Sequence, residues 1–192
     1  GGHLNVASPP VASSVLDLIG NTPLVELRNL TPKDSVRIYA KLEGQNPSGS
    51  VKDRIAKAMI DSARSDGSLA PGQTILEPPS GNTGLAIALV ARLYGYPVHC
   101  VMPESVSAER RDLLDYFGAK LTLSPGELGS NGAVALAKDI GANDPSLFMP
   151  MQYENAQNPD AHYATTGPEI LRDCPEITHF VAGLGTGGTL TG

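Results

Sequence analysis

The stretch Asn46-Pro47-Ser48-Gly49-Ser50-Val51-Lys52-Asp53-Arg54 decides how the rest of the chain is read. A loop of small residues delivers one lysine to the start of an apolar-periodic segment. Ser48, Gly49 and Ser50 let the backbone run close to whatever Lys52 touches. Ser50 is a good helix cap, and Val51, Ile55, Ala58 and Met59 recur at helical spacing, which predicts a helix over 51–65. Lys52 then sits at the positive end of a helix, where the neutral amine is favoured over the ammonium. A neutral amine is what attacks a carbonyl to form a Schiff base. Taken alone, the same lysine reads more simply as a solvated first-turn residue.

Two glycine-rich stretches change that balance. Glu77-Pro78-Pro79-Ser80-Gly81-Asn82-Thr83-Gly84 follows the strand-like run Thr74-Ile75-Leu76 and precedes an apolar helical segment, Leu85 to Leu93. Such loops at the carboxyl ends of strands are where open α/β sheets bind ligands. Its hydroxyls, amide and backbone N–H groups suit a carboxylate or a phosphate, and they equally suit a capped strand-to-helix turn. Gly183-Leu184-Gly185-Thr186-Gly187-Gly188-Thr189 follows a second strand-like run, His179 to Ala182. It has neither the lysine of a nucleotide-binding P-loop nor the spacing of the dinucleotide fingerprint, and a single phosphate monoester fits it better. The three loops together call for a ligand with a phosphate and an aldehyde, and a substrate with a carboxylate. Pyridoxal phosphate with an amino acid satisfies both.

Composition agrees with an enzyme of small molecules. With 192 residues, 41% of them apolar, the chain can bury a sizeable core. A net charge of −6 argues against nucleic acid or an anionic membrane as partner. Neither a bilayer-length apolar run nor a signal-peptide pattern is present in these residues. Cys100 and Cys174 read as buried reduced thiols, and no metal-ligand spacing is evident with the four histidines.

The predicted elements alternate. Strands are expected at 24–27, 36–42, 74–77, 97–102, 119–123 and 178–182. Helices are expected at 51–65, 83–94, 107–117, 131–141 and 162–172, with Ser107 heading one and Ser130 or Asn131 another. This order implies an α/β fold, mainly parallel open sheets with helices on both faces. Residues 1–12 read as a flexible tail.

The blocks Ile19-Gly20-Asn21-Thr22-Pro23-Leu24, Asn46 to Arg54, Ser80 to Gly84, Gln152-Tyr153, Thr165-Thr166-Gly167-Pro168-Glu169-Ile170 and Gly185 to Thr189 occur in one order from about residue 13 onward. In these the sequence resembles the cysteine synthase (O-acetylserine sulfhydrylase) / cystathionine β-synthase family of fold-type II pyridoxal-phosphate enzymes. The resemblance implies a two-domain architecture. Residues 13–45 plus 151–192 would belong to the larger cofactor-binding domain, and 46–150 to a smaller mobile domain. It also implies that the family pattern continues past Gly192, so the segment reads as truncated and these 192 residues alone are expected to be poorly stable or inactive.

Residue roles implied by the resemblance follow the motifs. Lys52 would hold the cofactor pyridoxal 5′-phosphate and move the substrate α-proton. Asn82 would bond the cofactor 3′-oxygen, and Gly185, Thr186, Gly187, Gly188 and Thr189 its phosphate. Ser80, Gly81, Thr83 and Gln152 would hold the substrate α-carboxylate; no metal is implied. The implied reaction is β-replacement on O-acetylserine or O-phosphoserine by a sulfur nucleophile, giving L-cysteine. Cystathionine β-synthase-like replacement and a non-catalytic relative are the alternatives. A homodimer, a cytoplasmic location and a serine acetyltransferase-type regulatory partner are implied in the same way. The chain departs from the pattern at Pro79, where the family usually has threonine; the ring removes an N–H and a hydroxyl, which bears on substrate preference. Lys41 is expected to be matched by Glu43 or solvent, Asp53 and Arg54 to form helix-surface or domain-crossing ion pairs, and His162 to be a cap-region histidine.

Overall fold

Val98-His99-Cys100-Val101-Met102-Pro103 is buried along almost its whole length, and the parallel sheet is built around it. The structure, a computed structural model, describes residues 11–78, 81–150 and 155–192. Strand β1 is Leu24–Glu26, β2 Tyr39–Lys41, β3 Ile75–Glu77, β4 Val98–Pro103 and β5 Lys120–Ser124. The last three form a parallel sheet in the order β3-β4-β5, with Ile75 opposite Val98 and His99 opposite Lys120. Phe148 extends it beyond β3: its N–H donates to Thr74 and its carbonyl accepts from Leu76 (2.9 and 2.7 Å).

Helices α1 (Lys52–Ser65), α2 (Asn82–Tyr94), α3 (Ala108–Tyr116) and α4 (Gly129–Asn143) surround this sheet. Strand side chains alternate between its faces. Ile75, Cys100 and Met102 join the main core with Ile55, Met59 and Ile60 of α1 and Ala86, Ile87 and Val90 of α2. Leu76 and Val101 point the other way, onto Ala133 and Ala137 of α4. Helices therefore do cover both faces, as expected for a buried parallel sheet. Both cysteines are free and buried.

The chain then forms α5 (Gln157–Ala161), a π-helical turn (His162–Thr166), α6 (Gly167–Asp173) and the short α7 (Gly188–Thr191). The expected helix at 162–172 thus begins earlier and is broken in character. Pro168 has no N–H for the carbonyl four residues back, and the Gly167 N–H reaches back five residues to His162.

Three further expectations change. Strands β1 and β2 pair antiparallel, and β2 is only the end of the run expected at 36–42. The α4 helix starts at Gly129, out of a 3-10 turn over Gly126–Leu128, so neither Ser130 nor Asn131 caps it. Residues 178–182 form no strand: no neighbour among the described residues pairs with them, and Val181 is 92% exposed. Strand composition alone does not make a strand, because its backbone groups need a partner. The tail expected at 1–12 falls mostly outside the described residues.

Ile87 is fully buried between α1 and the sheet. Ile87→Ala should cost about 2–5 kcal/mol of folding free energy, read from the midpoint of denaturant unfolding.

Candidate active site

Lys52 is the first residue of α1, and its position is fixed by the two residues after it. Asp53 is fully buried. It accepts from the Ser48 N–H (2.7 Å) and from the Ser48 hydroxyl, which folds the loop back onto the helix. Burial pushes its carboxyl up, and the two Ser48 bonds oppose that shift. Ser50 accepts from the Lys52 N–H (3.2 Å) in the turn before the helix, while Val51, not Ser50, holds the cap position.

Arg54 faces the opposite direction, into a buried charge cluster. Its guanidinium donates to both oxygens of Glu169 (2.5 and 3.0 Å), to Glu43 and to the Thr22 hydroxyl (3.2 Å). Lys41 adds bonds to Glu169 (2.9 Å) and to the Thr22 carbonyl (2.7 Å). The Thr22 hydroxyl donates to Glu43 (2.6 Å). The Gly20 N–H donates to Asn46 (2.8 Å), tying the segment near residue 20 to the lysine loop. Burial alone would raise the Glu169 carboxyl, yet the Arg54 and Lys41 bonds outweigh it and leave it at about 2. Two expectations are corrected here. Lys41 is matched by Glu169, not by Glu43 or solvent, and Asp53 is buried on Ser48 with no ion pair among the described residues; Arg54 is buried too, and its pairs with Glu43 and Glu169 join segments on the two sides of the expected domain division, the second of the two alternatives.

The Lys52 amine is half-buried and hydrogen-bonds to nothing among the described residues. Burial lowers its pKa, the direction that favours the neutral amine. Close by, His162 is fully buried. Its Nδ1 bonds the Thr166 hydroxyl (2.8 Å) and its Nε2 the Thr189 hydroxyl (3.2 Å). Burial, then the Arg54 charge, and to a smaller extent Lys52, hold this imidazole below its usual value. The histidine is thus more than a helix cap: it links the lysine's surroundings to the last glycine-rich loop.

That loop turns sharply at Gly187 (φ +86°). Thr186 accepts from the Gly188 N–H (3.3 Å) and from Asn158 (3.0 Å). A Cβ on Gly188 would fall 2.1 Å from the Asn158 carbonyl oxygen, so only glycine lets α5 and α7 approach. No hydrogen bond among the described residues takes up the N–H groups of Gly185, Gly187 or Thr189. Successive free N–H groups in such a turn form an anion-binding concavity.

The other glycine loop lies at the mouth of α2. Gly81 takes φ +43° and ψ −105°, a glycine conformation, and Asn82 begins the helix exposed while Thr83 is buried. Ser80, Gln152 and Pro79 lie outside the described residues. The structure therefore brings Lys52, His162 and Thr189 into one neighbourhood. No hydrogen bond between described residues joins Gly81 or Asn82 to the 185–189 loop.

At the base of the α2 loop, Glu77 is 1% exposed and neither carboxylate oxygen has a partner among the described residues. Burial alone raises its pKa to about 8. Glu77 and the Glu169 cluster escaped sequence reading. Glu169 lay inside a quoted block, but nothing in the local pattern assigns it to a cation 115 residues away.

The sequence pattern of the pyridoxal-phosphate dependent enzymes matches residues 15–192. The chain belongs to this pyridoxal-phosphate dependent enzyme family. It is 48% identical over 189 residues to a cysteine synthase of Staphylococcus aureus, covering 97% of this chain and 60% of that protein. Among solved structures it is similar to an O-ureido-L-serine synthase (44% identity, TM-score 0.89, 94% of this chain and 57% of that one). It is also similar to O-acetylserine sulfhydrylase isoform 3 of Entamoeba histolytica (38%, TM-score 0.89, 98% and 58%). The chain spans about 60% of the length of the curated relatives it matches. The mainly parallel α/β fold expected from the sequence agrees with these family structures.

Two stability tests isolate the site's charges. Glu169→Gln takes the counter-charge from buried Lys41 and one of the two from Arg54, and should cost about 3–5 kcal/mol. Lys57→Gln, which removes the partly exposed pair with Asp61 (2.7 Å), should cost under about 1 kcal/mol in the same unfolding experiment. The wild-type contribution of Glu169 is present above its unfolded pKa near 4.5 and is lost as pH falls toward about 2. Glu77 has the opposite sign. Its neutral form is preferred in the fold, so its contribution is complete below pH 4.5 and is lost as pH rises toward about 8. Glu77→Gln should therefore flatten stability against pH in that window by up to about 5 kcal/mol, measured by urea midpoints from pH 4 to 9.

Proposed function

We propose that this chain carries the cofactor and substrate loops of a pyridoxal-phosphate-dependent β-replacement enzyme that makes L-cysteine. Its substrate is an activated serine, O-acetylserine or O-phosphoserine, and its second substrate a sulfur nucleophile. The observation that carries the reading is the half-buried Lys52 amine, with its lowered pKa, whose charge reaches the buried histidine that bonds Thr189. The residues present fit the cofactor. The open N–H groups of the 185–189 turn suit a phosphate, and the 80–84 loop suits a carboxylate.

When bound, pyridoxal phosphate supplies an electron sink for the charge that develops at the substrate α-carbon. The chain's own residues supply position and proton transfer. Lys52 Nζ attaches the cofactor and then carries the α-proton. Asp53 and Arg54 fix the helix turn that carries Lys52. Gly185, Thr186, Gly187, Gly188 and Thr189 bind the phosphate, with Thr189 oriented by His162. Asn82 meets the ring 3′-oxygen. Ser80, Gly81, Thr83 and Gln152 hold the α-carboxylate, and closure of the smaller domain on it excludes water.

The same reading divides the chain into a larger domain (13–45 plus 151–192) and a smaller mobile one (46–150). The separate β1–β2 and β3–β4–β5 sheets support that division. A homodimer, a cytoplasmic location and a serine acetyltransferase-type partner belong to this reading through the family. No helix of the described residues is long and apolar enough to cross a membrane. A second reading keeps the chemistry and changes the nucleophile. One similar structure is named for O-ureido-L-serine synthesis, so this scaffold serves more than one acceptor.

A visible absorption spectrum tests the proposal directly. Protein loaded with pyridoxal phosphate should show a cofactor band that changes on adding O-acetylserine and recovers on adding sulfide. Recovery with another nucleophile and not with sulfide would favour the second reading. Lys52→Ala should lower turnover by about 10³-fold or more. A wild-type band indifferent to O-acetylserine and to O-phosphoserine would refute β-replacement.

A further inference from the structure

Arg110 is a cation that the fold brings to the α2 loop and leaves without a counter-charge among the described residues. It stands in the first turn of α3, where the Ser107 hydroxyl caps the helix by accepting from the Arg110 N–H (3.4 Å). The adjacent Arg111 turns away and donates to the Glu104 carbonyl. The Arg110 head group instead lies against Gly81. A Cβ built on that glycine would come within 2.9 Å of Nη1, 3.8 Å of Cζ and 4.0 Å of Nη2. It is the guanidinium, not the stem, that meets the loop.

Nη1 is buried and donates to nothing among the described residues. None of the ion pairs among them includes Arg110. Arginine stays charged at any working pH, and a dehydrated N–H without an acceptor costs free energy. The Gly81 end of α2 has no side-chain cap either, so the helix start adds its own positive end beside this guanidinium.

We propose that Arg110 is a positioning residue for the substrate carboxylate. From behind Gly81 it gives the loop the positive charge that makes it prefer ligands with a free carboxylate, and it holds Gly81 in the conformation that receives them. This rests on the reading above, in which Ser80, Gly81, Thr83 and Gln152 hold the α-carboxylate. It adds a residue from α3, outside all the blocks that carry the family resemblance.

The test titrates the pyridoxal-phosphate-loaded holoenzyme with L-serine and with L-serinamide, which keeps the amine and lacks the carboxylate. The readout is the change in cofactor absorbance. Arg110→Gln should weaken L-serine binding about tenfold and leave L-serinamide within about twofold. Arg110→Lys, which keeps the charge, should stay within about threefold of wild type for L-serine. The wild type provides a test that needs no variant: added salt should weaken L-serine and not L-serinamide. Equal losses of both ligands in Arg110→Gln would make the residue a structural prop and overturn the inference. So would unchanged L-serine affinity, or a wild-type L-serine affinity indifferent to salt. A wild type that takes up the cofactor but responds to neither ligand would overturn the proposed function, and this inference with it.

Discussion

The buried carboxylate of Glu169 is the point on which the placement of Lys52 depends. It is shared by Arg54 from the first turn of α1 and Lys41 from β2, and Glu43 closes the cluster. Two cations and two anions give no net charge, so the desolvation that would penalise any one of them is offset within the group. Thr22 adds a hydroxyl and a carbonyl from a third segment. The first turn of α1 cannot slide or rotate without breaking bonds to all these segments at once. Lys52, two residues before Arg54, inherits that rigidity, which is what a group that must meet a reacting atom requires.

Around the site the balance is reversed. Lys52, Glu77 and Nη1 of Arg110 are buried or half-buried, and each lacks a polar partner among the described residues. The scaffold side of the molecule matches its charges, and the loop side leaves them unmatched. Local rules are broken in the region proposed to receive ligands, and the matched cluster next door supplies the stability that tolerates it. The π-helical turn belongs to the same pattern. It places His162 against Thr166 and Thr189, where a regular helix would have advanced the ring differently.

Much of this was legible in the sequence because the signals were local. Helical spacing and glycine punctuation placed α1, α2 and α3 within a residue or so, and the anion-binding composition of the 81–84 and 185–189 stretches was visible before any fold. The failures have physical causes. Residues 178–182 have strand composition, but a strand exists only with a neighbour to bond. The helix expected at 162–172 starts earlier, at Gln157, and the missing N–H of Pro168 widens it where a regular helix was expected. Lys41 was paired with the nearest carboxylate in sequence, and the fold chose one 128 residues away. Neither the orphaned Glu77 nor the contact of Arg110 with Gly81 follows from periodicity, since each depends on packing between elements. Ser80 and Gln152 lie outside the described residues.

The two thiols divide the molecule in a useful way. Cys100 lies in the middle strand of the parallel sheet; burial, with Glu77 opposite it, pushes its thiol up to about 12. Cys174 sits just past the end of α6, 4% exposed, on the part of the chain that carries Glu169. A thiol reagent in water reaches neither while the fold is closed. Each cysteine then reacts only as often as its own surroundings open, so the two labelling rates form a native clock for the breathing of the sheet and of the α6 region separately.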